Sequence, residues 1–315
     1  MTLKLGVLMD PIASINIKKD TTFAMLLEAQ ARNMEIYYLE PTDIWLQDGL
    51  TWGRMRPLHV TDDASHWFEL DEIIEQPLTE LDVLLMRKDP PFNMEYIYLT
   101  YLLEHAEANG LFVLNKPSSL RDANEKMYAA WFPQCCPKTL VTSQPELIKE
   151  FAHNEHDIII KPLGGMAGRS IFHVKANDSN LPVIIETMTQ DGRQLVMAQR
   201  FIPDIKDGDK RIIVINGEPV PYALARIPAA GDFRGNLAMG AKGEGRELTD
   251  HDQWICEQVG PTLRDKGLWF VGLDVIGDYL TEINVTSPTG ARELDAQFGL
   301  NIAGDLMDFI EDQVG

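Results

Sequence analysis

The segment LTEINVTSPTG, residues 280–290, places Glu282 and Asn284 two positions apart on what reads as a strand. Residues i and i+2 of a strand point to one face, so the two side chains offer oxygen ligands side by side. Asp274 sits on the preceding strand of the same hairpin, in GLDVIGDYL. Three oxygens at the ends of paired strands suit Mg2+, a hard cation that keeps several waters and bridges to phosphates. The competing reading is a set of ordinary turn carboxylates, and Asp278, in the Gly277–Asp278 turn, is taken as one.

A second constellation is KPLGGMAGRSIF, residues 161–172. Gly164, Gly165 and Gly168 allow backbone N–H groups to wrap an anion, and Lys161, ending the strand before them, reaches the same anion. A mobile hairpin turn with a solvated lysine is the bland alternative. The loop is not a Walker A loop, because no GK[ST] follows. It leads into a strand rather than a helix, so it is not a dinucleotide fingerprint either. Arg87, Arg211, Arg226 and Arg234 are candidates to grip carboxylates or phosphates in a bidentate manner, although most arginines in an acidic chain pair on the surface. Lys126 has the same default. The seven histidines show no HExxH or paired spacing. Ser287 lacks a nucleophile-elbow context, and no cysteine has a convincing partner. Phosphate with a divalent cation is therefore favoured over nucleophilic catalysis.

These residues belong to a chain of 315, long enough for two or three domains. The formal net charge of -20 argues against nucleic acid or an anionic membrane as the main partner. Cys135, Cys136 and Cys256 are odd in number and without metal-ligand spacing, which suits a reducing, cytoplasmic setting. The first residues carry too short an apolar run for a signal peptide, and no stretch approaches the length of a membrane span.

The elements that must position the candidate residues follow from apolar patterning. Residues 3–10 read as a buried strand, 20–33 as a helix and 34–40 as a second strand, an α/β opening. Asp48–Gly49 between apolar runs marks a hairpin over 45–60. A strand within 81–92, a helix over 94–108 and a strand over 111–115 complete an N-terminal domain, 1–122. The segment SLRDANEKMYAAWF opens a second domain, 123–202, as one helix capped by Ser118 or Ser119. Strands and helices alternate after it: KTLVT, helix 144–153, strand 157–162, SIFHV, a helix near 181–190 and strand 194–202. A third domain, 203–315, holds a hairpin at Asn216–Gly217 and a helix from Thr249, where Asp252 makes a variant capping box. The 268–285 hairpin and two short helices close it. Residues 228–245 are glycine-rich without periodicity and read as a long loop, a functional lid or a disordered segment.

Taken in order, the blocks GVLMDPIASINIKKDTTFAMLLEAQ, LMRKDPPF, NKPSSLRDANEK, KPLGGMAGRSIF, IKDGDKR, GEPVPYALARIP, RGNLA and VGLDVIGDYLTEINVTSPTGARE resemble the ATP-grasp superfamily, specifically bacterial glutathione synthetases, over nearly the whole chain. One departure is visible: Gly164 stands where that family commonly has aspartate, and Ala167 replaces a glycine. The resemblance implies an α+β ATP-grasp fold with an N-terminal parallel-sheet domain, a small central lid domain and a C-terminal mixed-sheet domain. It implies that Lys126 and Lys161 contact the phosphates of ATP, and that the loop with Gly164, Gly165, Met166, Gly168 and Ser170 closes over them. Gln199, Arg200, Phe201 and Ile202 would border adenine, with Asp209 near the ribose. Asp274, Glu282 and Asn284 would hold Mg2+, or Mn2+ in its place. Arg87, Arg211 and Arg226 would bind the peptide substrate with the backbone of Val285, Thr286 and Ser287. Arg211, Arg226 and Arg234 would be catalytic, Arg234 lying on a lid from Ile227 to Lys242. The implied reaction joins γ-glutamylcysteine to glycine through an acyl phosphate, giving ADP and phosphate, in a cytoplasmic homo-oligomer (dimer or tetramer). Two alternatives stand beside it: a related ligase with another acid and amine, and a nucleotide-binding regulatory module without turnover.

Overall fold

The fold is known from a computed structural model, which describes residues 2–165, 169–229, 235 and 241–315. Three sheets carry the described chain. The first opens with β1 (Lys4–Leu8), α1 (Thr21–Ala31) and β2 (Glu35–Leu39). It continues through β3 (Ile44–Gln47), β4 (Leu50–Val60), β5 (Phe68–Leu70), β6 (Ile74–Pro77) and β7 (Val83–Met86). It ends with α2 (Met94–Ala108) and β8 (Phe112–Leu114). β1 lies between β2 and β7, parallel to both, and β7 is parallel to β8. Such strands are covered on both faces, and β7 is buried at every position, as the unbroken apolar run VLLM requires. Asp20 caps α1 by accepting from the Phe23 N–H, and Asn93 caps α2 by accepting from Tyr96. The β3–β4 turn falls on Asp48–Gly49, both at positive φ, as that dipeptide predicts. β1 is the point from which strands run outward both ways, so ligands are expected beyond its carboxyl end. Arg87 follows β7 there.

The helix expected from Ser118 into the Trp131 region is broken in two. α3 (Pro117–Asp122) starts on Pro117, and the Ser119 hydroxyl donates to the Lys266 carbonyl instead of capping. The Asn124 side chain then accepts from the N–H groups of Lys126 and Met127. This local turn competes with helix, and only a short 3-10 turn, Tyr128–Trp131, follows. A four-stranded antiparallel sheet comes next: β9 (Thr139–Thr142), α4 (Pro145–Glu155), β10 (Asp157–Pro162), β11 (Phe172–Lys175), α5 (Leu181–Thr189) and β12 (Val196–Arg200), in the order β11-β10-β12-β9. Ile158, Ile160, Val196 and Ala198 pack with Ile148 and Ile185 of the helices. Alternation therefore turns Ile159, Lys161 and Gln199 to the other face.

The third sheet runs through β13 (Asp209–Ile215), β14 (Glu218–Ile227), β15 (Lys242–Glu247), α6 (Asp250–Asp265), β16 (Phe270–Ile276) and β17 (Tyr279–Asn284), in the order β15-β14-β13-β16-β17. The end of the expected 228–245 loop is thus a strand: β15 pairs with β14 from Ile227↔Lys242 to Tyr222↔Glu247. Backbone pairing on a sheet edge supplies what the glycine-rich sequence lacks in side-chain pattern. The Thr249–Asp252 capping box is present with both hydrogen bonds. α7 (Ala291–Phe298) and α8 (Ile302–Val314) return to pack on α1. α6 lies against the β13–β14 turn with no side chain between. A Cβ on Gly260 would stand 2.2 Å from the Gly217 carbonyl oxygen. Gly260→Ala is therefore expected to destabilise the protein by about 1–3 kcal/mol, read as a lower urea midpoint with an unchanged slope.

Candidate active site

The two smaller sheets face each other across a cavity of about 340 Å3. Its wall on the third sheet is a row of charges set by strand register. Arg211 on β13 stands directly opposite Asp274 on β16, and Asp274 directly opposite Glu282 on β17. Asp209 is opposite Arg226, and Gly272 opposite Asn284. The Arg211 guanidinium grips both Asp274 oxygens, Nη2 donating at 3.0 Å, and Nη1 reaches the Thr289 carbonyl at 3.4 Å. Arg226 bonds Asp209 and lies 2.9 Å from Asp274. Asn284 donates its amide to Asp274 at 3.1 Å and to the Gly272 carbonyl at 3.3 Å. Gly272 is required here, since a Cβ would meet the Arg211 Cδ at 2.7 Å.

The opposite wall brings lysines to the same row. Lys161, buried, lies 4.0 Å from Glu282, and Lys126 lies 3.6 Å from it. Lys126 also bonds Glu125 and donates to the Gly165 carbonyl at 3.0 Å, tying the glycine loop to the site. Burial pushes the Lys161 ammonium down, against the pull of Glu282. Burial also opposes charge on Lys126, but Glu282 and Glu125 outweigh it and raise that group. Burial pushes the Asp274 carboxyl up, yet Arg211 and Arg226 together hold it well below the usual range. Asp209 is pushed up to about 7 by burial, against the pull of Arg226, and its Oδ1 is buried without a hydrogen-bond partner among the described residues.

The cavity wall includes Gln199, Arg200, Phe201, Ile202, Thr286 and Ser287 as well as the charged row. Gly164 and Ser170 are exposed on the loop, Ser170 at φ 57. Val285 is buried behind Thr286. Arg87 is buried outside the wall, donating to the Pro288 carbonyl at 3.0 Å. Met166, Gly168 and Arg234 lie outside the described residues. Glu125 and Arg169 line the cavity without having been singled out. Glu125 adjoins Lys126 in NEK, and a carboxylate beside a candidate phosphate lysine is the signal the sequence carries. Arg169 sits in the glycine loop, where a cation is expected of an anion cradle.

The donor set fits a hard divalent cation. Asp274 is held ionised, Glu282 is its cross-strand neighbour, and Asn284 has no donor to its carbonyl oxygen among the described residues. No three His, Cys, Asp or Glu side chains converge on one point among the described residues, so a cation held here would draw on the Asn284 amide oxygen, waters or phosphate oxygens beside the carboxylates.

This architecture is shared with known proteins. D-cycloserine synthetase DcsG superimposes with a TM-score of 0.68 at 11% identity, covering 99% of this chain and all of that one. A RiPP-associated ATP-grasp ligase of Chryseobacterium gregarium, in complex with ADP and a leader and core peptide, gives 0.67 at 16%, covering 99% and 97%. The fold is the ATP-grasp fold, and the protein is an ATP-dependent, ADP-forming ligase. Sequence profiles narrow this: the prokaryotic glutathione synthetase N-terminal domain matches residues 3–121, and the ATP-grasp domain of the same enzymes matches 125–299. Glutathione synthetase of Coxiella burnetii is 70% identical over 99% of this chain and 97% of its own length. That of Pseudomonas putida is 60% identical over 99% and 98%. The chain belongs to the prokaryotic glutathione synthetase family, whose ligases make glutathione with ATP and a divalent metal.

An acid raised in the folded state holds its proton more tightly there, so it removes stability as pH rises from about 4 to about 7. Asp209→Asn lacks this component. The variant should gain stability relative to wild type across that window by a few kcal/mol, seen by comparing chemical denaturation at each pH. A constant difference would refute the raised carboxyl.

Proposed function

We propose that this cavity joins γ-glutamylcysteine to glycine. The observation that carries the reading is the row that starts at Lys161 across the cavity, meets Glu282, and continues strand to strand through Asp274 to Arg211, which reaches the Thr289 carbonyl just beyond Thr286 and Ser287. Lys126 and Lys161 bind the phosphates of ATP, and the loop with Gly164, Gly165 and Ser170 covers them. Gln199 to Ile202 border adenine. The orphaned Asp209 Oδ1 accepts a ribose hydroxyl, which supports this placement. A divalent cation held by Asp274, Glu282 and Asn284, Mg2+ or Mn2+, would screen charge along the phosphates.

The cysteinyl carboxylate attacks the γ-phosphorus, ADP leaves, and an acyl phosphate forms. The glycine amine then attacks the acyl carbon, loses a proton, and phosphate departs. Arg211 and Arg226 hold the acyl oxygen as it gains charge. One such donor is worth about 3 kcal/mol in the barrier. Acyl phosphates hydrolyse readily, so the two glycine-rich segments serve to exclude water. The three units, 1–122, 123–202 and 203–315, act as substrate-side domain, lid and catalytic domain, in the cytoplasm.

Purified protein with ATP and Mg2+ should release ADP only when both γ-glutamylcysteine and glycine are present, with glutathione in equal amount. Arg211→Ala should lower turnover at least about a hundredfold while nucleotide binding persists. ADP release with the dipeptide absent, or a variant near wild-type rate, would sink the reading. The reading also takes the chain as a homo-oligomer, which is supported by Met94, Tyr98 and Tyr101 exposed on one face of α2 beside Leu46 and Leu50. Light scattering at the 35.5 kDa of a single chain would refute that part.

A further inference from the structure

The N-terminal sheet contributes two buried polar side chains that spend themselves on the backbone of the catalytic sheet. Asn115, directly after β8, donates its amide to the carbonyls of Phe270 and Val285, both at 2.8 Å, and accepts from the Phe270 N–H at 2.9 Å. Arg87, directly after β7, donates Nε to the Thr22 hydroxyl at 2.9 Å and Nη2 to the Pro288 carbonyl at 3.0 Å. Its guanidinium stands 5.5 Å over the Phe270 ring. Asn115 is 3% and Arg87 4% exposed. No carboxylate is paired with Arg87 among the described residues, and burial pushes its guanidinium down. A buried charge hydrogen-bonded to a hydroxyl and a carbonyl, with the Asp20 and Asp89 carboxylates acting on it only from a distance, is costly. What it secures is geometry.

Two of the three carbonyls they hold, those of Val285 and Pro288, flank Thr286 and Ser287, which line the cavity. The turn is gripped from behind at both ends. Neither Asn115 nor Arg87 bonds Lys126, Lys161, Gln199 or Asp209, and neither lines the cavity. We propose that Asn115 and Arg87 are positioning residues for the acid-substrate side of the site. Through them the N-terminal sheet sets the affinity for the dipeptide, while nucleotide affinity is set by the other two sheets. This rests on the reading that Thr286–Ser287 face the dipeptide.

Asn115→Asp keeps the shape and one acceptor but turns an oxygen on two carbonyls. Arg87→Lys keeps the charge but serves one acceptor instead of two. Arg87→Ala serves neither. Losing one such hydrogen bond at the turn should raise KM for γ-glutamylcysteine about tenfold in Asn115→Asp and in Arg87→Ala, and by less in Arg87→Lys. Directly titrated ATP affinity should stay within about twofold of wild type, since its contacts are untouched. Arg87→Lys should recover part of the loss in Arg87→Ala, and Asn115→Asp with Arg87→Lys should cost less than the product of the singles, because both hold one turn. Parallel weakening of ATP and dipeptide, unchanged KM with a lowered melting temperature, or failure of all three single variants to fold would overturn the proposal and leave a structural role. Wild-type protein that makes no glutathione would instead sink the substrate reading on which it rests.

Discussion

Asp274 is the group on which the rest of the site depends. It is a buried carboxylate, and a buried charge persists only with partners. Two guanidiniums and an amide supply them, from three strands. Removing the carboxylate would leave two cations facing each other in a low-dielectric wall. The register of β13, β16 and β17 is therefore tied to charge as well as to the apolar face behind it. Outward from Asp274 the signs alternate: Arg226 to Asp209, and Glu282 to Lys126 and Lys161. Such a row is nearly self-neutral before any ligand arrives. An anionic nucleotide with its cation can then exchange partners within the row rather than create or strip a net charge.

The same row lets two buried lysines share one carboxylate, Glu282 lying 3.6 Å from Lys126 and 4.0 Å from Lys161. Lys161 would lose its proton more readily in an apolar wall, and Glu282 opposes that. Lys126 is better placed, with Glu125 beside it and the Gly165 carbonyl as a further acceptor. A lysine that keeps its charge while already bonded to the loop is ordered in advance, which would lower the ordering cost of binding an anion there.

Much of this was legible in local sequence. The α/β opening, the Asp48–Gly49 turn, the Thr249–Asp252 cap and the shared face of Glu282 and Asn284 depend on residues a few positions apart. Arg211 facing Asp274 does not, because 63 positions separate them and only strand pairing brings them together. β15 escaped notice for the same reason: KGEGRE has no alternating apolar pattern, and its order comes from β14. The break after α3 is a local competition, with Asn124 offering the chain a turn where the apolar spacing offers a helix. Asn115 carried no signal at all, since its partners are carbonyls and an N–H far along the chain.

The middle sheet has helices on one face and the cavity on the other. Ile158 and Ile160 are sealed under α4 and α5, whereas Ile159 and Gln199 line the cavity. The unit is two layers, one of sheet and one of helices, with the second face of the sheet left to the cavity. A ligand that binds against that face and not to the unfolded chain would stabilise the smallest of the three sheets by mass action. Occupancy of the cavity would then act on folding as well as on chemistry.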